Sequence, residues 1–350
     1  DHLLPITTLR FAYLDSKCDG SYGLDGALRL TNQAFGGKGV NAIIGAGCSS
    51  ASVPAALVSD SLHVPIISPS SLSTTLSDGQ SYPYFLRTPP SDDFVNTGLV
   101  EVIQRLFNYT AVALAHSTDE YGSAGGRAFA SAAAAAQPAQ LEVTTTVTFT
   151  LGASDLRTQH RVLLESGSRV IVLIAQNFDG SNFMTSGLAA GVGGEGFLFL
   201  SGDSTYADKS HQSIEDDALH RRIFHGFFAM DPSNGQGTPR HDTYLARRHQ
   251  LPPMVEANGT CSVETDDNSG FLWMQDHDNN ASTPMRCSGD DPKREASYDA
   301  FGYDAAFAVA HALHDIIHVQ NRTEVVGSEL LATLIKRVSF EGATGLVELV

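Results

Sequence analysis

The sequence predicts an α/β protein in which each half is a mostly parallel sheet flanked by helices. Three observations carry that prediction. Short aliphatic or β-branched runs alternate with helix-length segments along most of the chain. Those runs are almost continuously apolar instead of alternating, as expected of parallel strands covered on both faces. The 350 residues are 42% hydrophobic and 17% charged, enough apolar material for two medium cores and hence two lobes.

Taken in order, Leu9 to Leu14 reads as a strand and Leu24 to Ala34 as a helix with small and apolar residues on one face. Val40 to Gly45 is a strand, Ser52 to Leu62 a helix, and Val64 to Ser68 a strand again. Phe94 to Phe107 carries Val95, Leu99, Val102, Ile103 and Leu106 at helical spacing. Strand Ala111 to Ala115, helix Arg127 to Ala136 and strand Val143 to Phe149 follow. Helix Asp155 to Glu165, strand Val170 to Ala175, helix Asn182 to Ala190 and strand Phe197 to Leu200 continue the rhythm. The alanine tract 132–136 favours helix, and Pro138 marks its end. Residues 256–296, rich in Asp, Asn, Ser and Gly, break the rhythm and read as a polar surface insertion stapled by its own cysteine pair. Tyr303 to Ile317 is an amphipathic helix. The chain opens almost directly on a strand and ends on one, so both ends read as cut from something longer.

Charge narrows the partners. There are 22 Lys and Arg against 39 Asp and Glu, a net of −17. Such a surface repels phosphate backbones and anionic lipid heads, so no nucleic acid or membrane surface is expected as a partner. No run approaches the roughly 18 apolar residues of a spanning helix, and Asp1-His2-Leu3-Leu4-Pro5 shows no signal-peptide pattern. The cysteines form two local pairs by position, Cys18 with Cys48 and Cys261 with Cys287, though three connectivities are open. Asn108, Asn258, Asn280 and Asn321 each begin an Asn-x-Ser/Thr sequon. Together these features favour an oxidising, glycosylating route, and so a secreted or extracellular location.

The stretch with most chemistry is Val40 to Pro54. A strand enters the turn Gly45-Ala46-Gly47-Cys48-Ser49-Ser50 and then opens a helix. The first helical turn directs amide N–H groups and the positive end of the macrodipole outward. The glycines allow close approach, and Ser49 and Ser50 add hydroxyls. This is a small anion site suited to a carboxylate. The turn Ser68-Pro69-Ser70-Ser71-Leu72-Ser73-Thr74 follows the next strand. In an open α/β sheet, ligands bind at the carboxyl ends of strands. A dinucleotide reading fails because the third glycine is missing and no acid ends the strand Val64-Pro65-Ile66-Ile67-Ser68. His314 and His318, with His311 nearby, lack a further ligand of clear spacing, so a packed or solvated helix face is the better reading. No activated nucleophile or acid/base pair is evident, so no enzyme, no metal and no cofactor is expected.

Several segments follow one another with family-like spacing. They are Gly47-Cys48-Ser49-Ser50-Ala51-Ser52, Val64-Pro65-Ile66-Ile67-Ser68, Leu76-Ser77-Asp78, Tyr82-Pro83-Tyr84-Phe85-Leu86-Arg87-Thr88-Pro89-Pro90-Ser91-Asp92, Phe107-Asn108-Tyr109-Thr110 and Tyr121-Gly122. Thinner matches are Ser201-Gly202-Asp203, Tyr303-Asp304-Ala305-Ala306-Phe307-Ala308 and Phe340-Glu341-Gly342-Ala343-Thr344-Gly345. The chain thereby resembles the extracellular ligand-binding domain of class C G-protein-coupled receptors, the GABA type B and metabotropic glutamate receptors, with natriuretic peptide receptors as relatives.

The resemblance implies a two-lobed type I periplasmic-binding-protein fold, truncated at both ends, that closes on a small amino-acid-like ligand. It implies lobe 1 at 1–116 plus 230–335, holding the 256–296 insertion, and lobe 2 at 117–229 plus 336–350. It supports a Cys18–Cys48 bridge, since Asp15-Ser16-Lys17-Cys18-Asp19 is similar to the GABA type B pattern. Ser49, beside Ser50, matches the serine that binds the ligand carboxylate. Ser70 matches a backbone contact, and Ser71 or Ser73 stands near it. Asp92 or Asp93, an extra residue leaving the choice open, matches an acid for the ligand ammonium. Tyr121 matches the cleft tyrosine, and Asp203 a second acid for the ammonium. Two departures stand out. Leu72 replaces a hydroxyl residue that contacts the ligand, and Tyr298 falls near a lysine that glutamate receptors use, which points away from glutamate to a smaller or less acidic amino acid. The implied setting is the ectodomain of a membrane receptor, homo- or heterodimeric, with a membrane or signalling segment outside this chain. The alternative is a degenerate domain acting as a protein-interaction or dimerisation module without a small ligand.

Overall fold

The computed structural model of the protein describes residues 3–4, 7, 9–202, 206, 217–248 and 298–349, with the backbone of three short strands between 255 and 274. The chain divides into two compact units. The first is Asp1–Ser71, Asp78–Pro89 and Ser233–Val350, and the second is Leu72–Ser77 and Pro90–Pro232.

The first unit begins with β1 (Ala12–Tyr13) and α1 (Gly20–Asn32). Asp19 caps α1, its carboxylate accepting from the amides of Ser21 and Tyr22 at 2.8 and 3.3 Å. This cap starts the helix one turn before the apolar pattern does. After the short turn α2 (Ala34–Gly37) come β2 (Ile43–Ile44), α3 (Ser49–Leu62), β3 (Ile66–Ser68) and β4 (Phe85–Arg87). Strands β2, β3 and β4 form one parallel sheet in that order, pairing Ile43 with Ile66 and Ile66 with Phe85. Helices α1 and α3 pack directly on each other because Gly23 carries no side chain; a Cβ there would stand 2.3 Å from the Ala51 carbonyl oxygen. The bridge Cys18–Cys48 ties the approach to α1 to the start of α3, with Cα atoms 5.2 Å apart.

The second unit contains α4 (Asp92–Glu101), which passes into a π-helical turn at Val102–Leu106. It continues through β5 (Ala111–Ser117), α5 (Glu120–Ala135), β6 (Glu142–Phe149), α6 (Arg157–Glu165), β7 (Val170–Ile174) and α7 (Asn177–Ala190). It ends with β8 (Leu198–Ser201), α8 (Asp217–Ile223) and β9 (Phe227–Ala229). All five strands are parallel, in the order β6-β5-β7-β8-β9. Its core gathers Ile171, Leu173, Phe183, Phe199 and Leu163, all fully buried. The Tyr206 hydroxyl, also buried, donates to the Ala175 carbonyl at 2.7 Å and accepts from the Ala175 amide at 2.9 Å, so burying it costs no unmet hydrogen bond.

The chain then returns to the first unit with α9 (Pro239–Arg248), whose proline occupies the first helical position and whose Thr238 hydroxyl accepts from the His241 amide. Strands β10 (Val255–Ala257) and β11 (Thr260–Ser262) pair antiparallel, and β12 (Trp273–Met274) pairs parallel with β1. The remaining elements are α10 (Asp299–His314), a π-helical turn at Asp315–Val319, α11 (Gly327–Arg337), β13 (Ser339–Glu341) and β14 (Leu346–Glu348). Ala305, Ala308 and Ala312 let α10 lie close on Ile67 and Leu86 of the sheet, with Leu330 and Leu334 of α11 completing this core.

Several expected boundaries differ, Leu72–Ser77 among them, which groups with the second unit. Residues 90–116 group with the second unit, because α4 packs along α5 and β5 is an inner strand of the five-stranded sheet, between β6 and β7. Residues 336–350 group with the first, because buried Asp304 of α10 accepts from the Ala343 and Thr344 amides at 2.7 and 2.8 Å and from the Thr344 hydroxyl at 2.6 Å. The strand expected over Leu9 to Leu14 pairs only at Ala12–Tyr13. The Cys261–Cys287 bridge lies outside the described side chains, as do Asn258 and Asn280.

Candidate functional site

In the first unit the site is built where β2 and β3 end. Gly45, whose amide donates to the Ile67 carbonyl at 2.9 Å, takes φ +135°, a conformation that favours glycine. The chain then turns into α3 with Cys48 as its cap residue and Ser49 as its first helical residue. The turn is laced by hydroxyls. The Ala46 carbonyl accepts from Ser68 Oγ at 2.6 Å and from Ser52 Oγ and Ser71 Oγ, each at 3.1 Å. Ser52 and Ser71 also hydrogen-bond each other at 2.7 Å. The Ser70 hydroxyl donates to the Gly47 carbonyl at 2.8 Å, and the Ser68 hydroxyl accepts from the Ser71 amide at 2.9 Å. The parallel register that sets Ile44 beside Ile67 brings these two turns together.

This assigns parts to the expected residues. Ser71 is fully buried and its hydroxyl holds the turn from inside, so it props the site and does not line its surface. Ser70 is half-buried at the rim, Ser50 is half-buried, and Gly47 is exposed. Ser49 is 2% exposed and stands in the first turn of α3, at the positive end of that helix.

In the second unit the corresponding strand ends carry carboxylates. Asp119 caps α5 just beyond β5, accepting from the Gly122 amide at 3.4 Å and from the Ser117 hydroxyl. Gln176, beyond β7, donates to the other Asp119 oxygen at 3.4 Å. Glu120 accepts from the Ser73 hydroxyl at 3.2 Å. Asp179 accepts from the Gly152 amide at 2.6 Å; burial, with the Asp119 charge adding to it, lifts its carboxyl above the usual range. Tyr121 lies buried in the first turn of α5. Asp92 is buried in the first turn of α4, with Gly125 of α5 beside it, whereas Asp93 is exposed and accepts from the Ser91 hydroxyl at 3.0 Å. Leu72 is buried, and its carbonyl accepts from the Asp92 amide at 3.0 Å. Asp203 lies outside the described residues. Asp119, Glu120, Gln176 and Asp179 were missed from the sequence, although Asp119 after a strand and before a helix carries the usual cap signal.

Other expected features fall as follows. Among the described residues no group of three His, Cys, Asp or Glu side chains is placed to hold a metal ion. The His314 ring instead meets the Leu3 carbonyl, and His318 meets the Thr7 hydroxyl. No described helix is long and apolar enough to cross a membrane. Tyr298 precedes α10, its ring 5.9 Å from that of Phe301.

Comparison with known proteins agrees with this architecture. The model of the receptor family ligand binding region matches residues 1–349. A 92-residue stretch is 39% identical to the probable metabotropic glutamate receptor mgl-1 of Caenorhabditis elegans, covering 26% of this chain and 9% of that receptor. An 83-residue stretch is 37% identical to the metabotropic glutamate receptor of Drosophila melanogaster, covering 24% of this chain and 8% of that receptor. Among solved structures, the leucine-binding protein LivK of Thermotoga maritima superposes with a TM-score of 0.65 at 15% identity, covering 95% of this chain and 78% of its own. An ABC-transporter substrate-binding protein of Desulfitobacterium hafniense, solved in complex with Leu, gives 0.63 at 19% identity, covering 95% and 79%. The fold is that of the type I periplasmic binding proteins. The whole-length match makes this chain a member of the receptor family of ligand-binding regions, with metabotropic glutamate receptors among its relatives.

Proposed function

We propose that this chain is the extracellular sensory module of a membrane receptor and binds a small amino-acid-like ligand. The supporting observation is a receptor-family match over residues 1–349, joined to a glycine-serine turn that opens α3 at the carboxyl end of a parallel sheet. The ligand carboxylate docks at the Gly45–Ser50 turn, where Ser49, Ser50 and the positive end of α3 favour an anion. By resemblance the ammonium is met by Asp92 and Asp203 with Tyr121, and Asp119, Glu120 and Asp179 of the second unit are further candidate carboxylates. By the same resemblance the lobes close on the ligand, and its greater affinity for the closed form drives a membrane or signalling segment outside this chain, in a homo- or heterodimer.

Isothermal calorimetry with a panel of amino acids, comparing wild type with Ser49→Ala, tests this. At least one small or apolar amino acid binds, and the variant loses roughly tenfold or more in affinity. No binding by any panel member, or equal binding by both proteins, overturns the assignment.

Export through an oxidising route is supported by the Cys18–Cys48 bridge and by Asn108 and Asn321. Both asparagines are exposed, each follows a π-helical turn, and each has φ +57°. Secretion from a eukaryotic host should give a protein whose mass drops on enzymatic removal of N-glycans. The drop should shrink with Asn108→Gln and again with Asn321→Gln. A second reading, a degenerate interaction module, draws on buried Leu72 and on the internal commitment of the Ser71 hydroxyl. It predicts dimerisation with scattering curves unchanged by every amino acid.

A further inference from the structure

A second cavity lies wholly within the first unit, lined by α9, α10 and the β13 turn and not by the Gly45–Ser50 turn. Its volume is about 380 Å³, inside the roughly 300–1,000 Å³ range of small-molecule sites. The walls are aromatic. Tyr303 and Phe307 have ring centroids 4.5 Å apart, and Phe340 stacks on His311 at 4.7 Å. Two arginines, Arg240 and Arg247, also line the cavity, seven residues apart and therefore on one face of α9. Arg247 Nη1 donates to the Tyr303 hydroxyl at 3.4 Å, which ties that guanidinium to the aromatic wall. Arg240 takes part in no ion pair among the described residues. One carboxylate, Glu341, also lines the cavity.

A guanidinium group suits an anion with two or more oxygens, which it can bind bidentately. Facing aromatic rings suit a flat apolar body. With a net charge of −17 on the chain, a cavity lined by two arginines and one carboxylate is a local exception that an anion would seek. Glu341 adds an acceptor, which favours an occupant with a hydrogen-bond donor of its own. We infer that this cavity is a second ligand site, for a small aromatic acid whose carboxylate or phosphate binds Arg240 and Arg247 while its ring rests on Tyr303, Phe307 and Phe340. The inference stands apart from the amino-acid reading of the Gly45–Ser50 turn.

Saturation-transfer NMR and calorimetry on the whole chain test it with 4-hydroxybenzoate, phenyl phosphate and the neutral 4-hydroxybenzyl alcohol. Both anions bind saturably, and the alcohol binds at least tenfold more weakly; the stronger anion distinguishes carboxylate from phosphate. The double variant Arg240→Gln/Arg247→Gln, at exposed positions the fold tolerates, lowers affinity for both anions at least tenfold. Phe307→Leu lowers affinity severalfold with an unchanged circular dichroism spectrum. Absence of saturable binding at millimolar concentration, equal binding of the alcohol, or unchanged binding by the double variant overturns the assignment.

Discussion

The two units end their strands in opposite chemistry. In the first, hydroxyls converge on one carbonyl: Ser52, Ser68 and Ser71 all donate to Ala46. In the second, carboxylates occupy the strand ends, with Asp119 drawing on Ser117, Gly122 and Gln176. The serine turn carries no charge of its own and leads into the positive end of α3, so it suits an anion. The acidic turn suits a cation.

Mutations can break this contrast at its supports. The largest effect is expected at Asp304, where a carboxylate does in the first unit what hydroxyls do elsewhere, holding a turn shut. It is fully buried and accepts three hydrogen bonds from Ala343 and Thr344. Asp304→Ala leaves the Ala343 amide buried without a partner and should lower the unfolding free energy by about 3 kcal/mol or more. Asp304→Asn should cost less, since its carbonyl oxygen still accepts. Urea denaturation checks the ranking.

Next comes acid sensitivity in the second unit. His160 is buried against Phe183, their centroids 4.6 Å apart; its Nε2 meets Ser186 Oγ at 3.0 Å and its Nδ1 has no partner among the described residues. Burial lowers its pKa from 6.5 to about 4. As pH falls, the unfolded chain therefore binds a proton before the folded one does. Stability present above pH 6.5 is lost progressively down to about 4, by up to about 3 kcal/mol. Thermal melts across that window should show the loss, and His160→Phe should flatten it. An unchanged slope in the variant would sink this account.

The finest comparison is between the turns themselves. Ser71→Ala removes a buried hydroxyl shared by Ala46 and Ser52 and should cost about 1–2 kcal/mol. Asp119→Ala removes the α5 cap and should cost about 1 kcal/mol. Ser70→Ala, at a half-buried rim, should cost under about 0.5 kcal/mol. If Ser70→Ala proved as costly as Ser71→Ala, the separation of prop from rim would fail.

Much of this was legible beforehand. The continuous apolar runs at Ile66–Ser68, Ala111–Ser117 and Val170–Ile174 became buried parallel strands, because burial on both faces leaves no place for polar residues. Helices α1, α5 and α7 begin earlier than their apolar periodicity suggests. Their first turns are set by caps and polar residues, which periodicity does not see. The glycine-serine turn at Gly45–Ser50 that opens α3 was also visible, since glycine, serine and a strand-to-helix switch are local features.

By itself, then, the chain's residue order determined its layers and its helix-opening turn, while the Cys18–Cys48 staple came from the family resemblance and is present in the structure. Tertiary structure alone decided which hydroxyls face inward, which carboxylates gather and where the second cavity lies. Ala46 meets Ser71, and Asp119 meets Gln176, only because strand register brings together residues 25 and 57 positions apart. Local preference acts over a few residues, whereas these contacts follow from packing.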